Sequence, residues 1–389
     1  MKKGLLAVLQ RELKRMISQP IYLVMTIIIP SVVIIFFATF FNQGVPSQLP
    51  VAVIDFDNSA TSRLIIRNLD AGQMCEIKYH LTSYESAKSK MQRGEIYSFV
   101  IIPRNFEKDV YAGVQPVVNF HTEYSHYLAA SLIMREIQTT LSSLAAGADL
   151  KMRLLKGEDS RKAMAQVNPI AMDNHIIGNP LLNYAVYLSS LMMPGIIFLM
   201  ALMCTVYVIG IELKNGTSPR WLVVSNKNIG TAILGKILPY TLLFSFMIVI
   251  SEIVLERIMG FPNQGNPAIM YLGALFTVVS YQAVGIFLIS IIPSMRTALS
   301  IAAFYGTMGF SLSGFTYPNF VMLPAVKGFT YLYPLKQYYD IYCNVQINGL
   351  PFSHNLIHFA ILMLFWAILP FVCIRKLRDA AVNLNYMRD

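Results

Sequence analysis

Six apolar segments dominate this 389-residue sequence, and each approaches the roughly 20 residues that a helix needs to cross a membrane. They cover residues 21–41, 184–211, 233–254, 268–292, 298–315 and 356–374. Only 13% of the residues are charged, about half the share that is typical of a soluble domain. The sequence therefore predicts an α-helical transmembrane protein with six spans, arranged as one span, a long insertion and five further spans.

The distribution of basic residues predicts the side of the membrane on which each loop lies. The termini and the loops on their side carry fourteen Lys and Arg residues, whereas the short loops opposite carry three. We therefore expect both termini, including the tail 375–389, to be cytoplasmic, with the chain in a bacterial inner membrane. The insertion 42–181 balances fourteen basic against fourteen acidic residues, so the net charge of +10 belongs to the membrane part. This distribution argues against nucleic-acid binding.

The segment before the first span, residues 1–20, has the pattern of an amphipathic helix. Leu5, Leu9 and Leu13 recur at helical spacing, and five Lys or Arg residues lie among them. Such a helix lies on a membrane surface with its apolar face in lipid. The span 21–41 exceeds the apolar core of about 7–15 residues of a signal peptide, and no small-residue cleavage site follows it, so we expect it to be retained.

The insertion 42–181 predicts a small mixed α/β domain on the extracytoplasmic side. Strand patterns at 51–56, 75–80, 96–103 and 116–122 alternate with short helical patterns. A longer helical pattern follows from residue 126, with a break expected near Gly147.

Two carboxylates at the end of the first of these strands allow two interpretations. Asp55 and Asp57 lie where α/β phosphotransferases hold their reactive acids around magnesium, which would make the chain a membrane-anchored enzyme. However, Asp57, Asn58 and Ser59 are also the residue types that begin and cap a helix. We favour the cap and turn, because phosphate transfer would need further acids and a lysine at the same edge.

The five-span region 182–374 contains two segments that do not have the pattern of spans. In 211–231, Gly216 and Pro219 interrupt the helical pattern before a short apolar patch, which is typical of an element that lies on lipid or fits a groove in a soluble partner. In 314–345, three prolines divide an aromatic-rich stretch into pieces too short to span. We expect this second segment to be re-entrant in the outer leaflet.

In their order along the chain, these segments resemble the permease subunits of type 2 ABC transporters, the type V exporters. The resemblance is to the variant with a large extracytoplasmic domain after the first span, whose strands are similar to 50–57 and 101–103 here. The matching positions that imply coupling to an ATPase are Glu212, Gly216, Thr217, Trp221, Leu222, Val223 and Val224. Those that open the third span are Gly235, Lys236 and Pro239, and those of the outer re-entrant segment are Ser313, Gly314, Pro318, Pro324 and Pro334.

The resemblance implies a function as well as a topology. The chain contains no phosphate-binding Gly-x-x-x-x-Gly-Lys-Ser/Thr motif, so ATP and magnesium are expected on a separate cytoplasmic ATPase, with no cofactor and no enzymatic activity here. A second permease, identical or related, would complete the pathway for a lipophilic or amphipathic substrate moving outward. A periplasmic adaptor is a further candidate partner. The alternative is a structural or signalling membrane protein whose external domain binds a partner.

Several other polar residues are candidates for a functional role. Glu252 and Glu256 lie four apart near the outer end of the third span beside Arg257, which suggests interfacial ion pairing or a place on the transport pathway. His354 and His358 have a spacing that could bind a metal ion but lack a third ligand, so no metal site is predicted. Cys75 and Cys343 would both face an oxidising compartment, but two cysteines without a framework do not predict a disulfide.

Overall fold

The computed structural model describes residues 4–41, 44–167, 178–179 and 183–383. The chain forms two compact units, Val45–His175 and the combination of Met1–Gly44 with Ile176–Asp389. The sequence predictions for residues 1–3, for the return to the membrane at 168–177 and for the end of the tail at 384–389 lie outside the described residues.

The described residues form fifteen helices and four strands. In chain order the helices are α1 (Leu5–Ser18), α2 (Pro20–Phe40), α3 (Ala60–Asp70), α4 (Tyr84–Gln92), α5 (Phe106–Ala112), α6 (Tyr127–Leu155), α7 (Ser160–Val167), α8 (Tyr184–Lys214), α9 (Ser218–Val224), α10 (Ile229–Ile258), α11 (Pro267–Ile291), α12 (Met295–Leu312), α13 (Pro324–Thr330), α14 (Pro334–Tyr342) and α15 (Phe352–Asn383). The strands are β1 (Leu49–Asp55), β2 (Cys75–Leu81), β3 (Ser98–Ile102) and β4 (Asn119–Thr122). The membrane unit holds α1, α2 and α8 to α15, and the α/β unit holds the rest.

The α/β unit is built on a four-stranded sheet in the order β2-β1-β3-β4. Strand β1 pairs in parallel with β2 and β3, while β3 and β4 are antiparallel. Alternate side chains of the strands, such as Val51 and Val53, face a core completed by Ile65 of α3 and Ile133 and Ile137 of α6. The predicted strands and the short helices between them are all present.

Helix α6 corrects one expectation. It runs without interruption for 29 residues, so the predicted break near Gly147 is wrong. An isolated glycine costs a helix only about 1 kcal/mol relative to alanine, and it ends a helix only with a further stop signal. No such signal follows Gly147, and the space around it is open.

The two carboxylates after β1 hold a turn together. The Asp55 carboxylate accepts hydrogen bonds from the backbone N–H groups of Asp57 and Asn58, both at 3.0 Å, and from the Ser62 hydroxyl at 2.7 Å. Asp57 accepts from the backbone N–H of Glu107 at 3.1 Å. Ser59 is the N-cap of α3. These bonds support the cap-and-turn interpretation over the phosphotransfer one.

In the membrane unit, five of the described helices are long and apolar enough to cross a membrane, namely α2, α8, α10, α11 and α15. The remaining predicted span corresponds to α12, which has 18 residues and rises about 27 Å, slightly less than a hydrocarbon core of about 30 Å. It also carries Arg296 and six Gly, Ser or Thr residues, which lower its mean hydropathy. A sixth span at this position therefore stays a prediction.

Small residues let α12 pack closely on its neighbours. Ala302, Gly306 and Gly309 are all buried. A Cβ at Gly306 would lie 2.2 Å from a terminal methyl carbon of Leu199 on α8, so a larger residue would require that side chain to move.

Candidate functional site

The cytoplasmic segment predicted at 211–231 is largely helical, and its geometry begins with the end of α8. Gly216 has a φ of 64°, which glycine adopts without strain. The N–H of Gly216 donates to the carbonyl of Leu213, and the N–H of Thr217 donates to that of Glu212. This is the Schellman pattern that terminates a helix at a glycine. It turns the chain so that the Thr217 hydroxyl reaches back to the Glu212 carboxylate.

Glu212 is fully buried, and its carboxylate joins three helices. Arg11 of α1 donates to it at 3.0 Å, Arg15 of α1 forms a second ion pair with it, and Lys236 of α10 donates at 3.0 Å. Thr217, next to α9, supplies the fourth donor. Helices α1 and α10 and the residue before α9 are therefore all tied to one carboxylate at the carboxyl-terminal end of α8.

The ammonium group of Lys236 extends the cluster to a second buried acid. Its Nζ lies 2.6 Å from Oε1 of Glu12, and both side chains are fully buried. The hydroxyl of Tyr240, one turn further along α10, lies 3.5 Å from the other Glu12 oxygen. We call the five charged residues the inner ion cluster: Arg11, Glu12, Arg15, Glu212 and Lys236.

The inner ion cluster carries three cations and two carboxylates. Burial is the largest effect and would lower the pKa of Arg15, but Glu212, Tyr22 and Glu12 together outweigh it and raise that pKa above its ordinary value. One guanidinium nitrogen of Arg11 is buried and has no hydrogen-bond partner among the described residues. Buried charges are costly unless each is paired, so a shift of one helix would leave the others uncompensated. The cluster therefore favours a small number of discrete arrangements of α1, α8 and α10.

Gly235 explains how α1 comes close enough to α10 to form these pairs. A Cβ at this position would lie 2.8 Å from Cβ of Val8 and 3.2 Å from the carbonyl oxygen of Leu5. Glycine thus lets the backbone of α1 lie directly against α10, one residue before Lys236. Pro239 lies inside α10 on the buried side, where its ring removes one helical hydrogen bond.

Helix α9 presents a different face from the one that its sequence suggested. Trp221 is fully buried, and its indole N–H donates to the carbonyl of Ala232 at 3.2 Å, while Leu222 is 7% exposed. Neither side chain is available to an ATPase in this arrangement. Val224 is half-buried, and its carbonyl accepts from the N–H of Gly4. Most of the apolar patch, residues 221–224, is therefore buried against α10 and the amino-terminal part of the chain.

The exposed residues of α9 and of the turn after it include one apolar and two basic side chains. Val223 is 50% exposed, and Arg220 and Lys227 are exposed on either side of it. At the opposite edge, Ser218 is buried and donates to the carbonyl of Ala381 on α15 at 3.0 Å. Helix α9 is thus held by α1, α10 and α15 and leaves this face uncovered.

The segment that the sequence predicts to be re-entrant contains two short helices, α13 of seven residues and α14 of nine. Ser313 ends α12, and Gly314 follows with a φ of 90° in a place where a Cβ would meet the Asn319 side chain at 2.5 Å. Pro318 lies in the exposed stretch that follows. Pro324 and Pro334 occupy the first turns of α13 and α14, where proline fits because no helical N–H bond is lost.

Glu252 and Glu256 lie near the carboxyl-terminal end of α10, away from the inner ion cluster. Glu252 is 1% exposed and is bonded by the hydroxyl of Tyr338 and the amide of Gln346. Glu256 accepts from Gln346 at 2.9 Å and from Asn263 at 2.7 Å. The predicted ion pair with Arg257 is therefore wrong, because neutral donors from other elements occupy both carboxylates.

Within the described residues, the histidines form no metal site and the cysteines form no disulfide. His358 contacts Gln337 at 2.8 Å and lies 3.6 Å from Asp340, an acid already paired with Lys336. Among the described residues, no group of three or more His, Cys, Asp or Glu side chains is placed to hold a metal ion. Cys75 and Cys343 are both free thiols.

Sequence reasoning missed Arg11, Glu12 and Arg15 as members of the inner ion cluster. It treated α1 as a surface helix, and Leu6 and Ile17 are indeed 74% and 77% exposed. The opposite face of α1, with Val8, Glu12 and Met16, is buried. A usable signal was present: Glu12 is the single acid in a basic helix, and Lys236 is a lone cation at the start of an apolar span, so each requires a partner.

Comparison with known proteins identifies one family. The family described as ABC-2 family transporter protein matches residues 20–373, which is nearly the whole chain. Comparison with curated proteins gives no match.

Proposed function

Because the chain belongs to the ABC-2 family of transporter proteins, which are multi-pass membrane components of ABC transporters, we propose that it is an exporter subunit driven by a separate ATPase. Its substrate would be lipophilic or amphipathic and would move out of the cytoplasm or the inner leaflet. The proposed setting is a bacterial inner membrane, with both termini in the cytoplasm and the α/β unit outside, where an adaptor protein could bind it.

The observation that carries this proposal is the inner ion cluster. It links α1 on the predicted membrane surface, the end of the span α8 and the start of the span α10. Thr217, which joins the cluster, immediately precedes α9. A displacement of α9 would therefore pull on Glu212 and, through Lys236 and Glu12, on α10 and α1. This arrangement suits a device that passes motion from a cytoplasmic partner into spanning helices.

ATP binding can drive such a motion only if the ATPase binds one arrangement of the membrane helices better than another. The inner ion cluster supplies a physical basis for two arrangements, because its buried charges must exchange partners together rather than drift apart. In the proposed cycle, closure of the ATPase pair displaces α9, the cluster exchanges partners, and α8 and α10 move as units.

The proposed contact with the ATPase is the exposed face of α9. Val223 would enter an apolar depression of the partner, and Arg220 and Lys227 would meet acidic groups at its rim. This replaces Trp221 and Leu222, which the sequence suggested as contacts, because both side chains are buried.

The proposed pathway is lined by α12 from this chain and from a second permease, identical or related. The exposed face of α12 carries four hydroxyl side chains around Phe304, which is 67% exposed. They are those of Thr297, Ser300, Thr307 and Ser311. A face that mixes hydroxyl groups with an aromatic ring suits an amphipathic cargo better than it suits lipid alone.

The experiment compares Val223→Asp with Val223→Thr, which keeps the shape of the side chain without adding charge. Each is co-expressed with the ATPase encoded beside this chain, purified from membranes and tested for retained ATPase and for ATP-dependent transport in vesicles. We expect the amount of ATPase that copurifies with Val223→Asp to be at least tenfold lower than with the unchanged chain, and we expect Val223→Thr to retain it. Equal retention by both variants would refute this face as the contact, and a chain that binds no ATPase at all would refute the proposed function.

A further inference from the structure

Two carboxyl groups at the outer end of α10 are buried without a cation. Glu252 is 1% exposed, and Glu256 is half-buried one turn later. In the part of the chain that the structure describes, neither forms an ion pair, and their neighbour Arg257 is exposed. An ionised carboxylate in such surroundings is no longer hydrated by water and has no cation to compensate for this loss, so its burial costs free energy.

One side chain holds the two carboxyl groups together. The amide nitrogen of Gln346 lies 3.2 Å from Oε2 of Glu252 and 2.9 Å from Oε1 of Glu256. Its two hydrogens can serve one carboxyl each, so the pair is bridged by a neutral group. Two negative charges that share one site repel, and the binding of a single proton removes that repulsion.

The other groups that face the pair are uncharged or weakly acidic. Tyr338 and Tyr342 belong to α14, Tyr271 belongs to α11, and the adjoining part of α2, Ile29–Phe40, contains no titratable side chain. The Tyr342 hydroxyl lies near Ser190 and the pair, in a residue that is 3% exposed. It makes no hydrogen bond of ordinary geometry with any described residue. A buried hydroxyl without a partner thus adjoins the two carboxyl groups.

We propose that Glu252 and Glu256 together bind one proton, and that this proton holds residues 334–347 against α10. The contacts run from the pair to Tyr338 at one end of this segment and to Gln346 at the other. A proton is the ligand that fits, because no third acid or histidine of the described chain is placed to complete a metal site. The inference does not depend on the proposed transport function.

Release of the proton would leave two negative charges in a site with neutral donors only. The site would then admit water, and α14 would move away from α10 to let it in. Cys343 is a natural reporter of this movement, because it is a free, half-buried thiol that lies between Tyr338 and Gln346. The other three cysteines of the chain are buried.

The experiment measures the alkylation rate of Cys343 in the full chain in lipid nanodiscs, followed by mass spectrometry of its peptide from pH 5 to 8.5. Glu252→Gln serves as the comparison because glutamine has the shape of a protonated glutamate. Dividing the wild-type rate by the Glu252→Gln rate at each pH cancels the intrinsic ionisation of the thiol. We expect a ratio near one at pH 5 that rises at least threefold as the pH increases.

A ratio that stays constant across this range would overturn the proposal. So would a ratio that depends on replacing sodium by choline at fixed pH, since that would indicate a metal cation instead of a proton. Infrared spectroscopy of the wild-type chain gives an independent reading that does not depend on a variant folding. A protonated carboxylic acid band should persist at pH 7 and shift when Tyr338→Phe removes its hydrogen-bond partner, and its absence at pH 7 would also overturn the proposal.

Discussion

Lys236 and Glu12 form an ion pair of 2.6 Å between two fully buried side chains that are 224 positions apart in the sequence. The pair fastens α1 to the start of α10, and Glu212 extends it to the end of α8. Buried charged groups thus hold these three helices of a membrane protein together.

Replacing Lys236 by Met should destabilise the membrane unit strongly. The change leaves Glu12 buried without its cation, and breaking one partner of a buried pair costs about 3–5 kcal/mol. The double variant with Glu12→Gln should recover part of this loss, because the uncompensated carboxylate is gone. The free energy of unfolding in mixed micelles measures both effects. Lys227→Met, at an exposed position, is the control and should change it by less than about 0.5 kcal/mol. Equal effects of Lys236→Met and Lys227→Met would contradict the pairing.

Adding a methyl group at Gly235 should loosen α1. Its carbon would lie 2.8 Å from Cβ of Val8, so α1 has to shift, at a cost of about 1–3 kcal/mol. Hydrogen exchange of the α1 amides should become at least several-fold faster in Gly235→Ala and should partly recover in Gly235→Ala combined with Val8→Gly. Gly328→Ala is the matched control, since nothing lies within 4 Å of that position. Unchanged protection of α1 would show that the close approach is absent.

Substitution of Gly147 tests the continuity of α6. If the helix is unbroken, Gly147→Ala should stabilise it by about 0.5–1 kcal/mol, because alanine loses less backbone entropy and meets open space. Gly157→Ala should do the reverse, since Gly157 has a φ of 84°. The exchange rates of the α6 amides report both changes. A destabilising Gly147→Ala would restore the break that the sequence suggested.

The reactivity of Cys343 should depend steeply on pH. Burial is the main cause that raises the pKa of its thiol to about 11, a hydrogen bond with Tyr339 lowers it, and the Asp340 carboxylate adds to the rise. Because the thiolate is the nucleophile, the alkylation rate in Glu252→Gln, which keeps the site closed, should increase nearly tenfold per pH unit between pH 7 and 10 and should stay below that of free cysteine throughout. A rate that levels off by pH 9 would contradict this environment.

Local sequence patterns predicted the elements of the fold because helices, strands and turns depend on neighbouring residues. The apolar run at 51–56 predicted β1, and Gly216 predicted the end of α8. In the structure Gly216 adopts the left-handed φ that ends this helix. The same patterns did not predict which surface an apolar patch covers. Trp221 has the same sequence signature whether it packs inward against α10 or outward against a partner.

The inner ion cluster could be predicted only in part. Glu212 and Lys236 were selected through resemblance to a family, but their partners on α1 lie about two hundred positions away and no local period links them. The sequence also did not predict that Glu252 pairs with Tyr338 and Gln346. Arg257 is the nearest charged residue in the sequence, but it is not the nearest hydrogen-bond donor in space.

The most direct test of the central account is ATP hydrolysis by this chain purified into nanodiscs, alone and together with the ATPase encoded beside it. The account predicts no hydrolysis by the chain alone. It predicts that hydrolysis by the complex changes at least several-fold when Lys236→Met breaks the inner ion cluster and stays unchanged in Lys327→Met, at an exposed position of α13 outside the proposed ATPase contact. Hydrolysis by the chain alone, or a complex indifferent to Lys236→Met, would contradict it.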